Sequence, residues 1–258
     1  MATLGGTVSL VLGASQGIGA EIARTLAREG SAVVVASRRL PAVEAVAGEI
    51  RDAGGRAVAV ACDVTDAAAV EWAAAQAVEG FGRLDHVVNN AGLIRPIMPL
   101  AEADPALWAA SVRTNLVGTY NGSRAALRAF RASGQGVLVN LSSGAAHLAL
   151  EGWSAYSAGK AAALGLLRSL ALETAGTAIR VYGFQPGAVD TGMLDEIRDA
   201  GLGYVSRLSA DDLLPPALPA RVVAWLMRPE AADLAGRELS IRDPALRARV
   251  GLPERHYA

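Results

Sequence analysis

Short apolar runs alternate along this chain with longer alanine-rich segments of helical periodicity. Strands that are apolar on both faces and separated by helices are typical of a parallel sheet covered by helices. The pattern therefore predicts an α/β fold. The helices are expected near residues 18–29, 40–53, 66–80, 104–132, 155–175 and 219–228. The seven predicted strands are Val8–Leu12, Ala32–Ser37, Ala57–Cys62, Leu84–Asn89, Gly136–Leu141, Ile179–Phe184 and Glu238–Ile241.

One stretch, residues 190–219, interrupts this rhythm. It is rich in glycine, proline and polar residues, and it lies between the sixth predicted strand and the last predicted helix. Long excursions of this kind often form a lid or a substrate loop, and a surface insertion without a role is the alternative. Because no linker or internal repeat divides the chain, we expect a single domain over residues 1–258.

The composition of the chain excludes several classes of protein. Of the 258 residues, 52% are hydrophobic and 19% are charged, which is typical of a globular protein with a sizeable core. The formal net charge of −1 provides no basic surface for nucleic acid. No apolar run reaches the roughly 20 residues that span a bilayer, and the N-terminus lacks the basic start of a signal peptide. We therefore expect a cytoplasmic protein with no nucleic-acid partner and no membrane contact.

Cysteine and histidine add two expectations. The single cysteine, Cys62, excludes an internal disulfide and fits a reducing compartment, and we expect it to be a small core residue at a strand end. The histidines, His86, His147 and His256, do not have the spacing of metal ligands. We expect no metal site.

A glycine-rich loop, Gly13-Ala14-Ser15-Gln16-Gly17-Ile18-Gly19, joins the first predicted strand to the first predicted helix. Glycines at such a junction let the backbone approach a pyrophosphate at a helix N-terminus. The spacing is Gly-x-x-x-Gly-x-Gly, which differs from the commoner dinucleotide fingerprint. The loop predicts a cradle for nucleotide phosphates.

A second motif lies in the run Trp153-Ser154-Ala155-Tyr156-Ser157-Ala158-Gly159-Lys160. It places a phenol and an ammonium four residues apart, on one face of a helix. A free phenol has a pKa of about 10, and a nearby opposite charge lowers such a pKa by roughly 1–3. Lys160 is therefore expected to bring the phenol of Tyr156 towards working pH as a proton donor.

These motifs resemble the short-chain dehydrogenase/reductase family over roughly residues 5–245. The resemblance also rests on Asn89-Asn90-Ala91-Gly92 after the fourth predicted strand, Asp63-Val64 after the third and Pro186-Gly187-x-Val189-x-Thr191 after the sixth. It implies a single doubly wound Rossmann-type domain with a seven-stranded parallel sheet.

The resemblance also implies the catalytic residues. Ser142 and Ser143 both end the fifth predicted strand, and only one can face the cofactor because neighbouring strand residues point to opposite sides. The family spacing, with a serine 13 residues before the tyrosine, selects Ser143. Asn115 matches the residue that completes the family's proton relay through water and the lysine. Each of these side chains, taken singly, could instead have only a structural role.

The same resemblance implies how the cofactor is held. In the family the Asp-Val pair contacts adenine, the Pro-Gly segment holds the nicotinamide carboxamide, and the lysine holds the nicotinamide ribose. The expected cofactor-binding residues are Gly13, Ser15, Gln16, Gly17, Ile18, Gly19, Ser37, Arg38, Asp63, Val64, Asn90, Ala91, Gly92, Tyr156, Lys160, Pro186, Gly187, Val189 and Thr191.

The end of the second predicted strand indicates which dinucleotide binds. A carboxylate there would pair with the ribose hydroxyls of NAD and repel a 2′-phosphate. This chain has Ser37-Arg38-Arg39 and no acid, and Arg38 can offer a guanidinium fork to phosphate. The sequence predicts NADP(H). Alternatively, Arg38 and Arg39 do not bind phosphate and are solvated charges on a loop.

Trp153, Met193 and Leu194 favour a small carbonyl substrate that is apolar or aromatic. These three side chains could instead be ordinary core or lid packing. His147 could donate to a second carbonyl or be structural. The segments Val189–Met193 and Gly236–Leu246 resemble the sepiapterin and benzil reductase branch, whose members reduce diketones with NADPH. The expected pocket residues are Ile94, Arg95, Pro96, Ala145, His147, Trp153, Gln185, Met193 and Leu194.

Together these features predict an NADPH-dependent reductase of ketones or diketones, with Tyr156 as general acid and Ser143 stabilising the oxyanion. One alternative is an alcohol dehydrogenase that works oxidatively, and another is a nucleotide-sensing binding protein with the same fold. Retention of both Tyr156 and Lys160 argues against the binding protein. The apolar run Ala161–Leu167 on the tyrosine's helix predicts a homodimer or homotetramer, with cover from within the chain as the alternative.

Overall fold

A single parallel sheet of seven strands forms the centre of the computed structural model, which describes residues 4–254. The strands lie side by side in the order β3-β2-β1-β4-β5-β6-β7. This confirms the predicted doubly wound α/β fold. His256 lies outside the described residues. The strands are β1 (Val8–Leu12), β2 (Ala32–Ser37), β3 (Ala57–Ala61), β4 (His86–Asn89), β5 (Gln135–Leu141), β6 (Ala178–Gln185) and β7 (Glu238–Ser240).

Helices cover both faces of the sheet. Helices α1, α2 and α8 pack on one face, and α3, α5 and α6 pack on the other. Within the described residues, none of the helices has the length and apolar character that crossing a membrane requires. The helices are α1 (Gly17–Arg28), α2 (Leu40–Asp52), α3 (Ala67–Phe81), α4 (Pro105–Val112), α5 (Gly118–Ser133), α6 (Ser154–Glu173), α7 (Gly192–Ala200), α8 (Ala217–Leu226) and α9 (Pro244–Val250).

The central strands are buried on both faces because each contributes to two cores. In β1, Val11 packs into the core under α1, α2 and α8, whereas Leu10 and Leu12 pack into the core under α3, α5 and α6. In β2, Val33 and Val34 divide between the two cores in the same way. This alternation follows from the strand's period of two and explains why these runs are almost entirely apolar, with Ser9 in β1 and Ser37 at the end of β2 as the buried exceptions.

The strand order reverses between β1 and β4, which are neighbours in the sheet. Connections leave these two strands towards opposite faces, so a crevice opens at their carboxyl ends, where ligands of such sheets bind. Leu12 of β1 pairs with Asn89 of β4 at this edge. The glycine-rich loop and the Asn90–Gly92 turn both begin there.

The predicted helix over residues 104–132 is present as continuous helical backbone from Pro105 to Ser133, but a π turn interrupts its regular α geometry. Helix α4 ends at Val112, a π-helical turn occupies Arg113–Val117, and α5 begins at Gly118. A π turn adds one residue and leaves the apolar periodicity on either side nearly unchanged, so the pattern did not reveal it. The turn contains Asn115, whose side chain is fully buried.

Residues 190–219 are more regular than predicted. Helix α7 buries Leu194 and Ile197, which lie one turn apart, and it ends at Gly201, whose φ is +66°. The base of the segment is closed, because the backbone N–H of Leu214 donates to the Ala188 carbonyl at 2.9 Å. The sequence pattern did not predict α7 because glycines flank its short amphipathic run. It also missed the C-terminal helix α9.

Candidate active site

The glycine-rich loop is packed so closely that side chains would not fit. Gly13 and Gly17 have φ values of +84° and +56°, in the left-handed region that favours glycine. A Cβ atom on Gly13 would lie 2.5 Å from the Cα of Ala91, and one on Gly19 would overlap the Gly13 carbonyl oxygen and the Asn90 amide. Helix α1 begins at Gly17 without a side-chain cap, so its first N–H groups are available to an anion.

One side chain fixes the two walls of the crevice relative to each other. The amide of Asn90, at the end of β4, donates to the carbonyl oxygen of Gly13, at the end of β1, at 2.8 Å. The bond joins loops that are 77 residues apart in the chain. The backbone of the glycine-rich loop is therefore held open towards the cleft, as a pyrophosphate site requires.

A cleft of about 620 Å³ runs over this loop. Its shape and its lining of glycines, hydroxyls and cations fit a dinucleotide. Among the residues that the structure describes, no three His, Cys, Asp or Glu side chains come together as a metal site would require. Thirteen of the predicted cofactor residues line the cleft: Gly13, Ser15, Gln16, Gly17, Ile18, Ser37, Arg38, Asp63, Val64, Asn90, Ala91, Gly92 and Thr191.

The remaining predicted cofactor residues are placed differently. Gly19 lies under the loop against Gly13, and Pro186, Gly187, Val189, Tyr156 and Lys160 are not among the residues that line the cleft. The cleft also has lining residues that the sequence analysis did not assign to the cofactor. Most are direct neighbours of predicted residues, which was the available signal. They are Arg39, Cys62, Leu93, Thr114, Met193 and Glu196.

Two arginines lie at the end of the cleft formed by β2. Arg38 lines the cleft, and the Arg39 guanidinium donates to the Gln16 side-chain oxygen at 2.6 Å and to the Ser15 hydroxyl at 3.4 Å. Ser37 stands where an acid would exclude a 2′-phosphate, and its hydroxyl accepts from the backbone N–H of Arg39 at 3.3 Å. The positive charge of Arg39 is thus held over the glycine-rich loop.

At the other end of the site, Tyr156 lies buried on α6. Its ring meets the Trp153 ring edge-on, with centroids 5.7 Å apart. Burial raises the pKa of Tyr156, and a hydrogen bond with the Ser143 side chain partly offsets the increase. The phenol is therefore protonated at neutral pH. The expectation of a lowered phenol pKa is wrong for the protein alone, because desolvation outweighs the stabilisation of the phenolate.

Lys160 lies one helical turn beyond the tyrosine and is also buried. Its ammonium donates to the carbonyl oxygen of Leu141, at the end of β5, at 2.7 Å, and lies 5.7 Å from the centre of the Tyr156 ring. Burial lowers the pKa of Lys160 to about 8. A Cβ atom on Gly92 would lie 3.9 Å from the Lys160 nitrogen, so the cleft and the tyrosine meet at this lysine.

The two serines after β5 have different partners. The Ser143 side chain lies close enough to Tyr156 to lower the pKa of the phenol, and its hydroxyl accepts from the backbone N–H of Ala145 at 3.2 Å. The hydroxyl of Ser142 donates instead to the carboxylate of Glu238 on β7. The serine that the family spacing selects is thus the one beside the phenol, as the opposite orientation of neighbouring residues requires.

Asn115 holds the loop that follows the Asn90–Gly92 turn. Its amide donates to the carbonyl oxygens of Leu93 at 2.7 Å and Ser111 at 3.0 Å, and its side-chain oxygen accepts from the Leu93 N–H at 3.2 Å. A Cβ atom on Gly159 of α6 would lie 2.8 Å from the Asn115 Cβ, so the π turn packs directly on the helix of the tyrosine. A part for Asn115 in a proton relay stays a prediction.

An apolar chamber surrounds the phenol. Of the predicted pocket residues, Ile94, Ala145, Trp153 and Leu194 are buried in this cluster and Met193 packs against it. Pro96, His147 and Gln185 are not part of the cluster. Arg95 pairs with Glu196 of α7 at 2.7 Å, which joins the loop after β4 to the segment over residues 190–219. The other buried members of the chamber are Ile197 and Leu213.

Residues 7–201 match the family described as short chain dehydrogenase. This chain belongs to that family. It is therefore an oxidoreductase, and nicotinamide dinucleotides are the cofactors of its family.

Two relatives and one solved structure cover nearly the whole chain. The short-chain reductase protein NovJ of Streptomyces niveus is 38% identical over 91% of this chain and 92% of its own. The cis-4-hydroxycyclohexanecarboxylate dehydrogenase of Sinomonas cyclohexanicum is 37% identical over 91% and 94%. A crystal structure of a variant of actinorhodin polyketide ketoreductase with NADPH is 34% identical, with a TM-score of 0.83, over 93% of this chain and 97% of that one.

The packing of the loop predicts that Gly19→Ala weakens dinucleotide binding at least tenfold. The added methyl group would overlap the Gly13 carbonyl oxygen and the Asn90 amide, and so displace the backbone that approaches the pyrophosphate. The dissociation constants of NADPH and NADH are measured by titrating each variant and following the fluorescence of the nucleotide. Gly80→Ala is the control, because Gly80 lies on α3 with no atom near its added methyl group. Equal affinity of the two variants would contradict the prediction.

Proposed function

We propose that this protein is an NADPH-dependent carbonyl reductase that converts a ketone or diketone into an alcohol. The observation that carries the proposal is the buried, protonated Tyr156, which lies beside the Ser143 side chain and the ammonium of Lys160. A proton donor, an oxyanion donor and a cation thus lie together at an apolar chamber next to a dinucleotide cleft. Reduction of a carbonyl group needs this set of groups.

Each residue has a defined task in the proposed reaction. Ser143 donates a hydrogen bond to the carbonyl oxygen and stabilises the negative charge that develops there. Tyr156 transfers its proton to the same oxygen, and Lys160 stabilises the phenolate that remains. A reduced nicotinamide, when bound in the cleft, supplies the hydride that the carbonyl carbon accepts. In the reverse direction Tyr156 takes the proton from an alcohol.

The preference for NADP(H) is proposed from charge. Arg38 and Arg39 line the cleft where β2 ends, and Ser37 places no carboxylate there. Guanidinium groups bind phosphate through paired donors, whereas an acid would favour the free ribose hydroxyls of NAD. The related ketoreductase crystallised with NADPH supports this choice.

Substrate class and direction are proposed from the chamber and the relatives. The side chains around the phenol are almost all apolar, which favours an apolar or aromatic carbonyl compound, including the diketones of the sepiapterin and benzil reductase branch. One relative is named a reductase and another a dehydrogenase. An alcohol dehydrogenase that works oxidatively is therefore the second candidate, and the coenzyme preference discriminates between the two.

The surface of α6 supports an oligomer. The helix buries one side against the sheet, whereas Ala161, Ala162, Gly165 and Leu172 are exposed on the other. Arg168 and Ser169 are exposed on the same face, and the small residues between them and the start of the helix allow close approach of a second helix. A homodimer or homotetramer, with α6 in the interface, is proposed.

The proposed role of Tyr156 predicts that Tyr156→Phe lowers kcat by about 10²–10⁴-fold, the usual contribution of a general acid. The change removes one hydroxyl group, so the dissociation constant for NADPH should change little. NADPH oxidation is followed by absorbance with aromatic 1,2-diketones, simple ketones and aldehydes. Tyr120→Phe, at an exposed position on α5, is the matched control. Turnover of Tyr156→Phe within threefold of wild type would overturn the catalytic assignment.

A carboxylate at the end of β2 should reverse the coenzyme preference. Ser37→Asp places a negative charge where the 2′-phosphate is expected, so we predict at least tenfold weaker NADPH binding and unchanged or tighter NADH binding. Ser37→Asn, which has the same size without the charge, is the control. Loss of NADPH affinity in both variants would attribute the effect to packing, and a wild-type protein that prefers NADH would refute the choice of coenzyme.

The buried lysine predicts the pH dependence of reduction. The pKa of Lys160 is lowered to about 8 and that of Tyr156 is raised, so the ammonium loses its proton first as pH increases. The rate of reduction should fall above about pH 8, because the phenolate formed by proton transfer then lacks its stabilising charge. Initial rates give kcat/KM from pH 6 to 10 at constant ionic strength. A value that stays level to pH 10 would show that the charge of Lys160 is not needed.

A further inference from the structure

Glu238 joins two side chains on either side of Ser143. The hydroxyl of Ser142 donates to one carboxylate oxygen of Glu238, and the Nε2 atom of His147 lies 2.5 Å from the other. These contacts connect positions that are 96 and 91 residues apart in the chain. Glu238 lies on β7, the edge strand of the sheet. One carboxylate thus holds both ends of the loop over residues 142–147.

Gly183 leaves room for the side chain of Glu238 to cross the sheet. In the register of β5, β6 and β7, Gly183 lies between Asn140 and Glu238. A Cβ atom on Gly183 would lie 3.1 Å from the Glu238 Cγ and 2.6 Å from a methyl group of Leu167. Since Gly183 has no side chain, Glu238 can pass over β6 towards the end of β5.

Burial of the Glu238 carboxylate costs free energy of solvation, and its two hydrogen-bond partners offset that cost. The side chain of Glu238 is only 12% exposed, and a charge withdrawn from water is destabilising unless hydrogen bonds replace its hydration. Both of its oxygens have such a partner, and both partners belong to one loop. This arrangement restricts the loop more than a contact at one end would.

The loop contains the oxyanion donor of the proposed reaction. Ser143 is followed by a single turn of 3₁₀ helix at Gly144–Ala146, and its hydroxyl accepts from the Ala145 N–H and lies beside Tyr156. The orientation of that hydroxyl therefore depends on where the two ends of the loop lie. Ser142 and His147 are the residues at those ends.

We propose that Glu238 is a positioning residue for carbonyl reduction: by holding Ser142 and His147, it fixes the Ser143 hydroxyl against Tyr156. Glu238 does not contact the phenol, so it acts through Ser143. This inference rests on the proposed function. An error of about 1 Å in the placement of a catalytic group can cost about 10²-fold in rate.

The test is a double-mutant cycle on kcat with NADPH and an aromatic diketone. Glu238→Ala should lower kcat about 10–100-fold with less than threefold change in the NADPH dissociation constant, because Ser143 acts in the transition state. In a Ser143→Ala background the same change should lower kcat less than threefold. Glu238→Gln should restore much of the rate, since its amide can accept from Ser142 and donate to His147. Glu102→Ala, an exposed position, is the control.

Two results would overturn the inference. Equal losses from Glu238→Ala in both backgrounds would mean that Glu238 does not act through Ser143. A Glu238→Gln variant as impaired as Glu238→Ala would mean that the two hydrogen bonds are not what matters.

A measurement without substrate separates this inference from the proposed function. Hydrogen exchange followed by mass spectrometry should show faster exchange of the 142–147 peptide in Glu238→Ala than in Glu238→Gln, with the peptides of α1 and β1 unchanged. Unchanged exchange in that loop would refute the positioning role even in an active enzyme. Failure of the wild type to reduce any carbonyl, with the exchange result as expected, would refute the proposed reaction and leave the carboxylate as the support of the loop.

Discussion

The hydrogen bond from Lys160 to the carbonyl oxygen of Leu141 is the interaction on which the site depends. It joins the middle of α6 to the last residue of β5, and so sets the distance between the tyrosine on the helix and the serine that follows the strand. The π turn at Asn115 packs on the same helix and holds the backbone of Leu93. Three elements from distant parts of the chain are thereby fixed around one phenol.

Burial explains why a protonated phenol lies close to a lysine of lowered pKa. The same low-polarity environment acts in opposite directions on the two side chains, because it disfavours the charged form of each: it raises the pKa of Tyr156 and lowers that of Lys160. The order of proton loss is therefore reversed relative to water: Lys160 loses its proton first as pH increases, and the phenol stays protonated over the neutral range. A proton leaving Tyr156 produces a phenolate beside a cation that has few other partners.

The sequence predicted most of the fold because the strands are mostly apolar on both faces, and the few polar residues within them, such as Ser9 and Asn140, do not hide the pattern. It predicted the residues of the cleft because the glycine pattern and the Asn90–Gly92 turn follow from backbone contacts that allow few alternatives. It did not predict the π turn or α7, since an inserted residue and a nine-residue amphipathic helix barely change the periodicity. The path of Arg39 over the glycine-rich loop depends on where Gln16 lies, which only the tertiary structure determines.

The contacts of Glu238 extend the same reasoning to the edge of the sheet. From the sequence, a glutamate on a short edge strand such as Glu238 would be expected to be solvated. Its neighbour on β6 is Gly183, and a glycine inside a strand usually destabilises it. The two residues act together, because the absence of a side chain at Gly183 lets the Glu238 carboxylate reach the hydroxyl of Ser142. The active-site loop is thus held from two sides, by α6 through Tyr156 and by β7 through Glu238. A group that must stabilise charge without reorganising during the reaction needs this kind of support.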